Sequence, residues 1–292
     1  MPAATTHVEC AKDIYDNLPL GKQIVITNKN MFYLGSQGPD LFFFYNFSFS
    51  SIIKDTGVYM HEHKIFEVIE RMHDYVIKKA DYDLLSYYYG YLCHYALDSC
   101  AHPLVYQRSR YGNLSDEPEM VIHFKMEAFI DKYVLNSKGR NIKSFDTDKL
   151  VTIDGNSRSK LAKMYSIIFK DVFDLEISEK DIEKTCKQIV YTLQILKPNS
   201  IYKYKTIQIL ENIIGKKHLA TSLMLFHDFE DPDYVLNNNN LEFINVNDDT
   251  LIYTDSFDDL YKQAIEKGVK LITNKLTKDN FKLDFEGKYI KE

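Results

Sequence analysis

The chain has few cysteines, no tryptophan, no excess of positive charge and no long apolar run. Four cysteines in 292 residues, Cys10, Cys93, Cys100 and Cys186, are too few for the dense cross-linking of a small secreted domain. Cys93 and Cys100 stand at i,i+7, which on one helix separates their Cα atoms by about 10 Å, beyond disulfide reach. The four therefore read as reduced thiols. Lys and Arg total 36 against 42 Asp and Glu, so the formal net charge is −6. That balance gives no overall basic footprint for nucleic acid or an anionic lipid surface, and no stable nucleic-acid partner is expected. The opening Met-Pro-Ala-Ala-Thr-Thr-His lacks a secretory signal, and no segment approaches the roughly twenty apolar residues of a membrane span. A cytoplasmic location is the expectation. No internal repeat is present.

What the chain does have is helical periodicity and enough apolar residues, 45%, to bury a large core. The turn Gly35-Ser-Gln-Gly-Pro-Asp40 interrupts an opening mixed segment. Helical spacing then runs from about Tyr59 to Lys79, with Ile65, Val68, Ile69, Met72 and Val76 on one face. The next helix, capped by Asp83, carries a stripe of tyrosines (Tyr87, Tyr88, Tyr91) that reads as core. A polar loop over about Ser109 to Glu119 and a connection over Asn136 to Asp154 flank a further helix. Helices follow at about Arg158–Phe173, Glu179–Leu196 (Ser178 capping), Lys205–Ile214 and Asp258–Leu276 (Ser256 capping). Asn237 to Asn240 is a polar low-complexity tract, and the alternation in Leu241–Tyr253 suggests a short strand. The expected architecture is all-α: a single multi-helix domain over 1–292, with the chemistry in about 1–135 and buttressing helices in about 155–292.

The chemistry concentrates in Gly90-Tyr-Leu-Cys-His94-Tyr-Ala-Leu-Asp98-Ser-Cys-Ala-His102-Pro103. At about 100° per residue, His94, Asp98 and His102 follow one another around one side of a helix in steps of about 40°. His123 and Glu127 repeat the i,i+4 pairing in another apolar, helical context. A single such pair is more often a surface hydrogen bond or a core histidine held by a carboxylate. Two pairs together point to a metal cluster held between helices, since imidazole and carboxylate are ligands that zinc accepts. Pro103 disfavours helical geometry at the residue before it, so the helix is expected to end at His102 and to release its side chain towards a second metal. Cys93, about 100° from His94, is a poor ligand candidate. His63, His73, His218 and His227 fall outside the pattern and read as surface residues.

These elements resemble the bacterial zinc-dependent phospholipase C family. An early histidine (Ala4-Thr-Thr-His7), a Gly38-Pro39-Asp40 turn followed by aromatics, a Met60-His61 step, His94-x-x-x-Asp98-x-x-x-His102-Pro103 and His123-x-x-x-Glu127-Ala-Phe-Ile-Asp131 occur in the family's order. Asp228-Phe-Glu-Asp-Pro232 and Ser256-Phe-Asp-Asp-Leu-Tyr-Lys-Gln-Ala264 resemble its closing segment. The resemblance implies two or three zinc ions. Asp40, His61, His94 and Asp98 would hold one, and His102, His123 and Glu127 a second. His7 and a bridging Asp98 would hold a third. Two features depart from the secreted members. This chain has no Trp to supply the N-terminal ligand and begins Met1-Pro2, and its Asp98 to His102 spacing is shorter. A freed Pro2 nitrogen is the candidate replacement for the tryptophan amine.

The implied function is phospholipase C-like cleavage of a glycerophospholipid. Attack on phosphorus needs a nucleophile at neutral pH and neutralised phosphoryl oxygens, and zinc supplies both by lowering the pKa of water to about 7 and by acting as a Lewis acid. Asp40, in a turn rather than a helix, is the candidate catalytic residue, as ligand or general base. The aromatics Leu41 to Phe49 either line an acyl pocket or touch a bilayer surface transiently, or are buried beside the metals. Two alternatives stay open: a phosphodiesterase or nuclease acting on a nucleotide substrate, since fungal single-strand nucleases use a similar three-zinc cluster, and a non-catalytic, metal-stabilised binding protein.

Overall fold

The structure is a computed structural model that describes residues 4–47, 49–112, 114–215, 218 and 220–290. The chain opens with α1 (Ala4–Asn17), α2 (Leu20–Val25) and α3 (Lys29–Gly35), and a 3₁₀ helix, Gly38–Phe44, carries Asp40. Next come α4 (Ile52–Glu62), α5 (Ile65–Lys79), α6 (Tyr82–Tyr111) and α7 (Glu119–Ser137). The second half contains α8 (Thr147–Leu150), α9 (Gly155–Phe173), α10 (Glu179–Leu196), α11 (Ile201–Ile213) and α12 (Pro232–Val235). A two-stranded antiparallel hairpin, β1 (Phe243–Asn245) with β2 (Asp248–Tyr253), precedes α13 (Phe257–Thr273). A strap of residues 278–290, opening with a 3₁₀ turn at Lys278–Phe281, ends the described chain. The fold is all-α.

Helix α6 is buried on nearly every side from Leu84 to Val105, as expected of a helix at the centre of a core rather than on its surface. It is surrounded by α1, α3, α5, α7 and α13. Its contact with α3 is backbone on backbone. A Cβ placed on Gly35 would lie 2.1 Å from the Tyr87 carbonyl oxygen, and one on Gly90 would lie 2.0 Å from that of Phe32. Only a glycine pair permits this approach. The expected tyrosine core is present: Tyr87, Tyr88 and Tyr91 are buried, and the Tyr87 and Tyr165 hydroxyls are 2.7 Å apart.

Several boundaries differ from those expected. Helix α6 does not stop at His102 but runs through Pro103 to Tyr111. Proline removes the bond to the Ser99 carbonyl, at a cost near 3 kcal/mol, and burial of both flanking turns outweighs it. The cap is Asp81 rather than Asp83: its Oδ1 accepts from the Asp83 and Leu84 amides, while Asp83 faces Lys160. The helix expected over Tyr59–Lys79 is two helices, because Lys64 takes a left-handed conformation (φ 55°) that apolar spacing does not announce. His61 thus sits in the last turn of α4. Ser178 and Ser256 cap α10 and α13 as expected, Ser256 within a capping box. Asn237 is not a solvated residue of a polar tract. It is buried, accepts from Arg108 Nη2 at 2.9 Å and donates to the Leu241 carbonyl. His227 is half-buried against the Thr221 carbonyl, whereas His63 and His73 are exposed as expected.

Candidate metal centre

Three groups of imidazoles and carboxylates meet where α1, the Asp40 turn, α4, α6 and α7 converge. His7, His94 and Asp98 form one, Asp40, His61 and His94 a second, and His102, His123 and Glu127 a third. Within each, one donor atom per residue lies within 4.8 Å of the others. All eight residues expected from the sequence are therefore brought together. Asp98 turns one oxygen to each side, with Oδ1 3.1 Å from His7 Nε2 and Oδ2 3.0 Å from His94 Nε2. His61 Nε2 is 3.0 Å from Asp40 Oδ1, and Glu127 Oε1 is 3.2 Å from His123 Nε2 and 3.6 Å from His102 Nε2. The reading of Pro2 falls on residues outside those described.

Backbone carbonyls set the orientation of three of the rings. His94 Nδ1 faces the Ser36 carbonyl at 3.1 Å, His61 Nδ1 that of Gly57 at 2.7 Å, and His102 Nδ1 that of Phe285 at 2.8 Å. A carbonyl can only accept, so Nδ1 donates in each case and Nε2 is the atom turned to the cluster, the orientation metal-ligating histidines require. Gly38 (φ 51°) gives His94 its room, since a Cβ there would fall 2.0 Å from the His94 Cδ2 atom.

The electrostatics suit a cation. Burial alone would raise the Asp98 carboxyl, but the imidazoles of His102, His94 and His7 hold it well below the usual range. Glu127 is likewise held low against burial by His123 and His102, and Asp40 by His61 and His94. Burial lowers the pKa of His94, so that ring is neutral. Burial opposes charge on His102 too, yet Asp98 and Glu127 raise it to about 9. Three ionised carboxylates thus share one buried site. His7 Nδ1, His94 Nε2, Asp98 Oδ2 and His123 Nδ1 are buried without a hydrogen bond; the 3.0 Å His94–Asp98 approach is close but misaligned. The close, unbonded His94 Nε2 and Asp98 Oδ2 fit a divalent ion held beside them.

Two supports of the site had no role assigned to them from the sequence. Asp131, one turn beyond Glu127, accepts from the Thr6 amide at 2.7 Å, the Thr6 hydroxyl at 2.6 Å and the Thr5 amide at 3.2 Å. It satisfies the free amides at the start of α1, one residue before His7. The strap supplies Phe285, whose amide donates to the His61 carbonyl at 3.0 Å and whose ring packs 5.3 Å from His61 and 5.4 Å from His94. Asp131 belongs to a segment already singled out, and i,i+4 spacing from Glu127 was its one signal. Phe285 has none. Of the apolar residues after Asp40, Leu41, Phe42 and Phe44 are core, Phe42 packing on Tyr165 and Phe169, while Phe43 stacks on His61.

Buried imidazoles and carboxylates gathered from several helices, with nitrogen and oxygen donors and no cysteine among them, are a donor set that could hold divalent metal ions in an all-α protein. Residues 6–194 match the profile of the zinc dependent phospholipase C family, and the chain belongs to that family. Comparison with curated proteins and with solved structures returned no match. The matched span contains all eight candidate ligands. The strap lies beyond it.

Proposed function

We propose that this protein hydrolyses the phosphodiester of a glycerophospholipid in the manner of a phospholipase C, with His7, Asp40, His61, His94, Asp98, His102, His123 and Glu127 holding two or three zinc ions. The observation that carries the reading is the set of three buried donor groups, two of which share His94, with Asp98 beside it. Zinc, when bound there, would lower the pKa of water and neutralise charge on the phosphoryl oxygens. The protein's own part is to hold the ligands ionised and aligned. Asp40, kept anionic beside His61, is the base that would take a proton from the attacking water. His94, neutral and fixed by the Ser36 carbonyl, presents Nε2 inward.

The test is metal content together with turnover. His94→Ala should lose several kcal/mol of zinc affinity and all hydrolysis of a phospholipid or chromogenic phosphodiester, while circular dichroism stays helical. The exposed His73→Ala should match wild type. Zinc binding without turnover of any phosphodiester would favour the non-catalytic binding protein, and faster turnover of nucleotide substrates than of lipid would favour the nuclease-like alternative. Equal zinc content in the two variants would overturn the ligand assignment.

A further inference from the structure

Three of the five ligand imidazoles take their aim from a backbone carbonyl, and the other two, His7 and His123, keep Nδ1 buried without a hydrogen bond among the described residues. A ring stands beside each instead. His7 stacks on His94 with centroids 4.3 Å apart, so one ligand steadies another. The ring 4.7 Å from that of His123, tilted by 46°, is Tyr106, which belongs to none of the three donor groups.

Tyr106 continues the series His94, Asp98, His102 along α6 by one more step of four, which carries it about 40° beyond His102. Its ring is also 5.5 Å from that of His102. It therefore packs against both imidazoles of the group that Glu127 completes. Tyr87, Tyr88 and Tyr91 of the same helix are buried core, whereas Tyr106 is half-buried and turns its hydroxyl to the strap. The phenol donates to Glu286 Oε1 at 3.1 Å. Glu286 Oε2 in turn accepts from Asn247 Nδ2 at 2.8 Å and lies 3.6 Å from Lys288 Nζ, so the acceptor is itself fixed. Phe285, the residue before it, fixes His102 through its carbonyl. Two successive strap residues thus reach two ligands of one group, one directly and one through Tyr106.

We propose that Tyr106 is the positioning residue of His123, standing in for the carbonyl that orients His61, His94 and His102, with Glu286 of the strap acting through it. An imidazole with an unpartnered Nδ1 turns about its side-chain bonds unless a neighbour confines it, and contacts between tilted rings favour particular orientations. The hydroxyl anchor keeps that neighbour in place. A clamp that merely ties α6 to the strap would need the hydrogen bond but not the ring contact, and it would leave the geometry around a bound metal unchanged. The inference rests on the zinc-ligand assignment of the proposed function and not on the reaction.

The experiment measures zinc affinity by competition with a chromophoric chelator, and ligand geometry by the visible bands of the cobalt(II)-substituted protein. Tyr106→Phe, which loses the anchor and keeps the ring, should bind one ion per chain about tenfold more weakly, and Tyr106→Leu, which loses both, up to about a hundredfold. The cobalt bands should shift in each. Glu286→Ala should match Tyr106→Phe, and the two combined should be no worse than either alone, because one residue acts through the other. Glu286→Gln keeps an acceptor for the phenol and should restore most of the affinity. Tyr133→Phe removes from α7 itself a hydroxyl bonded to Asp258 and should alter neither readout. Wild-type affinity and wild-type cobalt bands in the Tyr106 variants would overturn the inference, even with a lowered melting temperature, and would make the Tyr106–Glu286 pair a clamp on the strap alone. If Tyr106→Leu does not fold, Tyr106→Phe, one oxygen smaller, decides. Additive losses in the double variant would overturn the part given to Glu286. Wild type that binds no zinc would overturn the ligand assignment and this inference together. The expected losses without hydrolysis of any phosphodiester would support the inference and overturn the enzymatic reading alone.

Discussion

Helix α6 and the strap of residues 278–290 meet at the metal centre and serve it by different means. The helix contributes side chains: His94, Asp98 and His102 come from two successive steps of four residues on one buried element. The strap contributes mostly backbone. Its Phe285 carbonyl fixes His102, its Phe285 amide holds the end of α4 through His61, and its Leu283 carbonyl accepts from the Tyr95 hydroxyl at 2.7 Å. The α6 ligands therefore come from a local spacing, and the aim of His102 from a segment about 180 residues away. Aim matters because partners outside the ligand shell change metal affinity about 10–100-fold.

The largest test of that division removes the strap's anchor. Phe285 is fully buried against His61, His94, Tyr91 and Tyr95. Phe285→Ala should cost about 3–5 kcal/mol of stability through the cavity it leaves. The zinc content of the folded fraction should fall as well, although no ligand has changed. Tyr111→Ala, on a side chain 60% exposed, should stay within about 0.5 kcal/mol. Denaturant melts paired with metal analysis decide it. A destabilised Phe285→Ala that keeps its full zinc complement would show that the strap supports the fold and not the site.

Gly38 sharpens the comparison from the other side, because it shapes a ligand by having no side chain. Gly38→Ala should force His94 aside and cost about 1–3 kcal/mol along with zinc binding. Gly139 also has positive φ, 70°, but a Cβ there meets nothing within 4 Å. Gly139→Ala should carry backbone strain of about 1 kcal/mol and keep its metal. Similar zinc loss in both would mean that backbone strain, rather than contact with His94, is responsible.

Asp131 tests whether α1 needs a partner as α6 does. Asp131→Ala strips the acceptors from the Thr5 and Thr6 amides and should cost about 1–2 kcal/mol, as the loss of a helix cap does. The group containing His7 should lose its metal first under mild chelation, and the group around Glu127 last. Simultaneous loss of all metal would show the centre to be a single cooperative unit.

The sequence made the ligands readable because chelation on a helix needs i,i+4 spacing, and residue types that bind metal stand out in an apolar segment. Asp40 and His61 depended on the family resemblance, since neither lies in a periodic pattern: one sits in a 3₁₀ turn, the other at a helix end. The carbonyls of Ser36, Gly57 and Phe285 were unreadable, because every residue has a carbonyl and only the fold decides where it points. Helix ends failed where tertiary burial overrode a local signal, at Pro103, or where a left-handed residue carried none, at Lys64. The exposure of Tyr202, Ile209 and Ile213 on α11 was unreadable because periodicity says that a face is apolar and not which way it looks.

The smallest expected effect separates the two histidines of α6 by charge. In the metal-free protein His102 is raised to about 9 by Asp98 and Glu127 and is protonated near pH 7, whereas His94 is lowered and neutral. A raised histidine contributes stability that is fully present below its ordinary pKa, near 6.5, and lost as pH climbs through about 9. Zinc needs the neutral ring, so its binding near pH 7 must expel the His102 proton and need expel none from His94. Calorimetry in buffers of different ionisation enthalpy should show about one proton released per chain at this group. Zinc affinity there should rise about tenfold per pH unit from near neutrality and level off above pH 9. His102→Gln should remove the release together with that ion, while His94→Gln, by weakening the neighbouring groups, should leave it in place. Affinity independent of pH between about 7 and 9 would mean that His102 is already neutral without metal, and that the carboxylates around it act only as co-ligands.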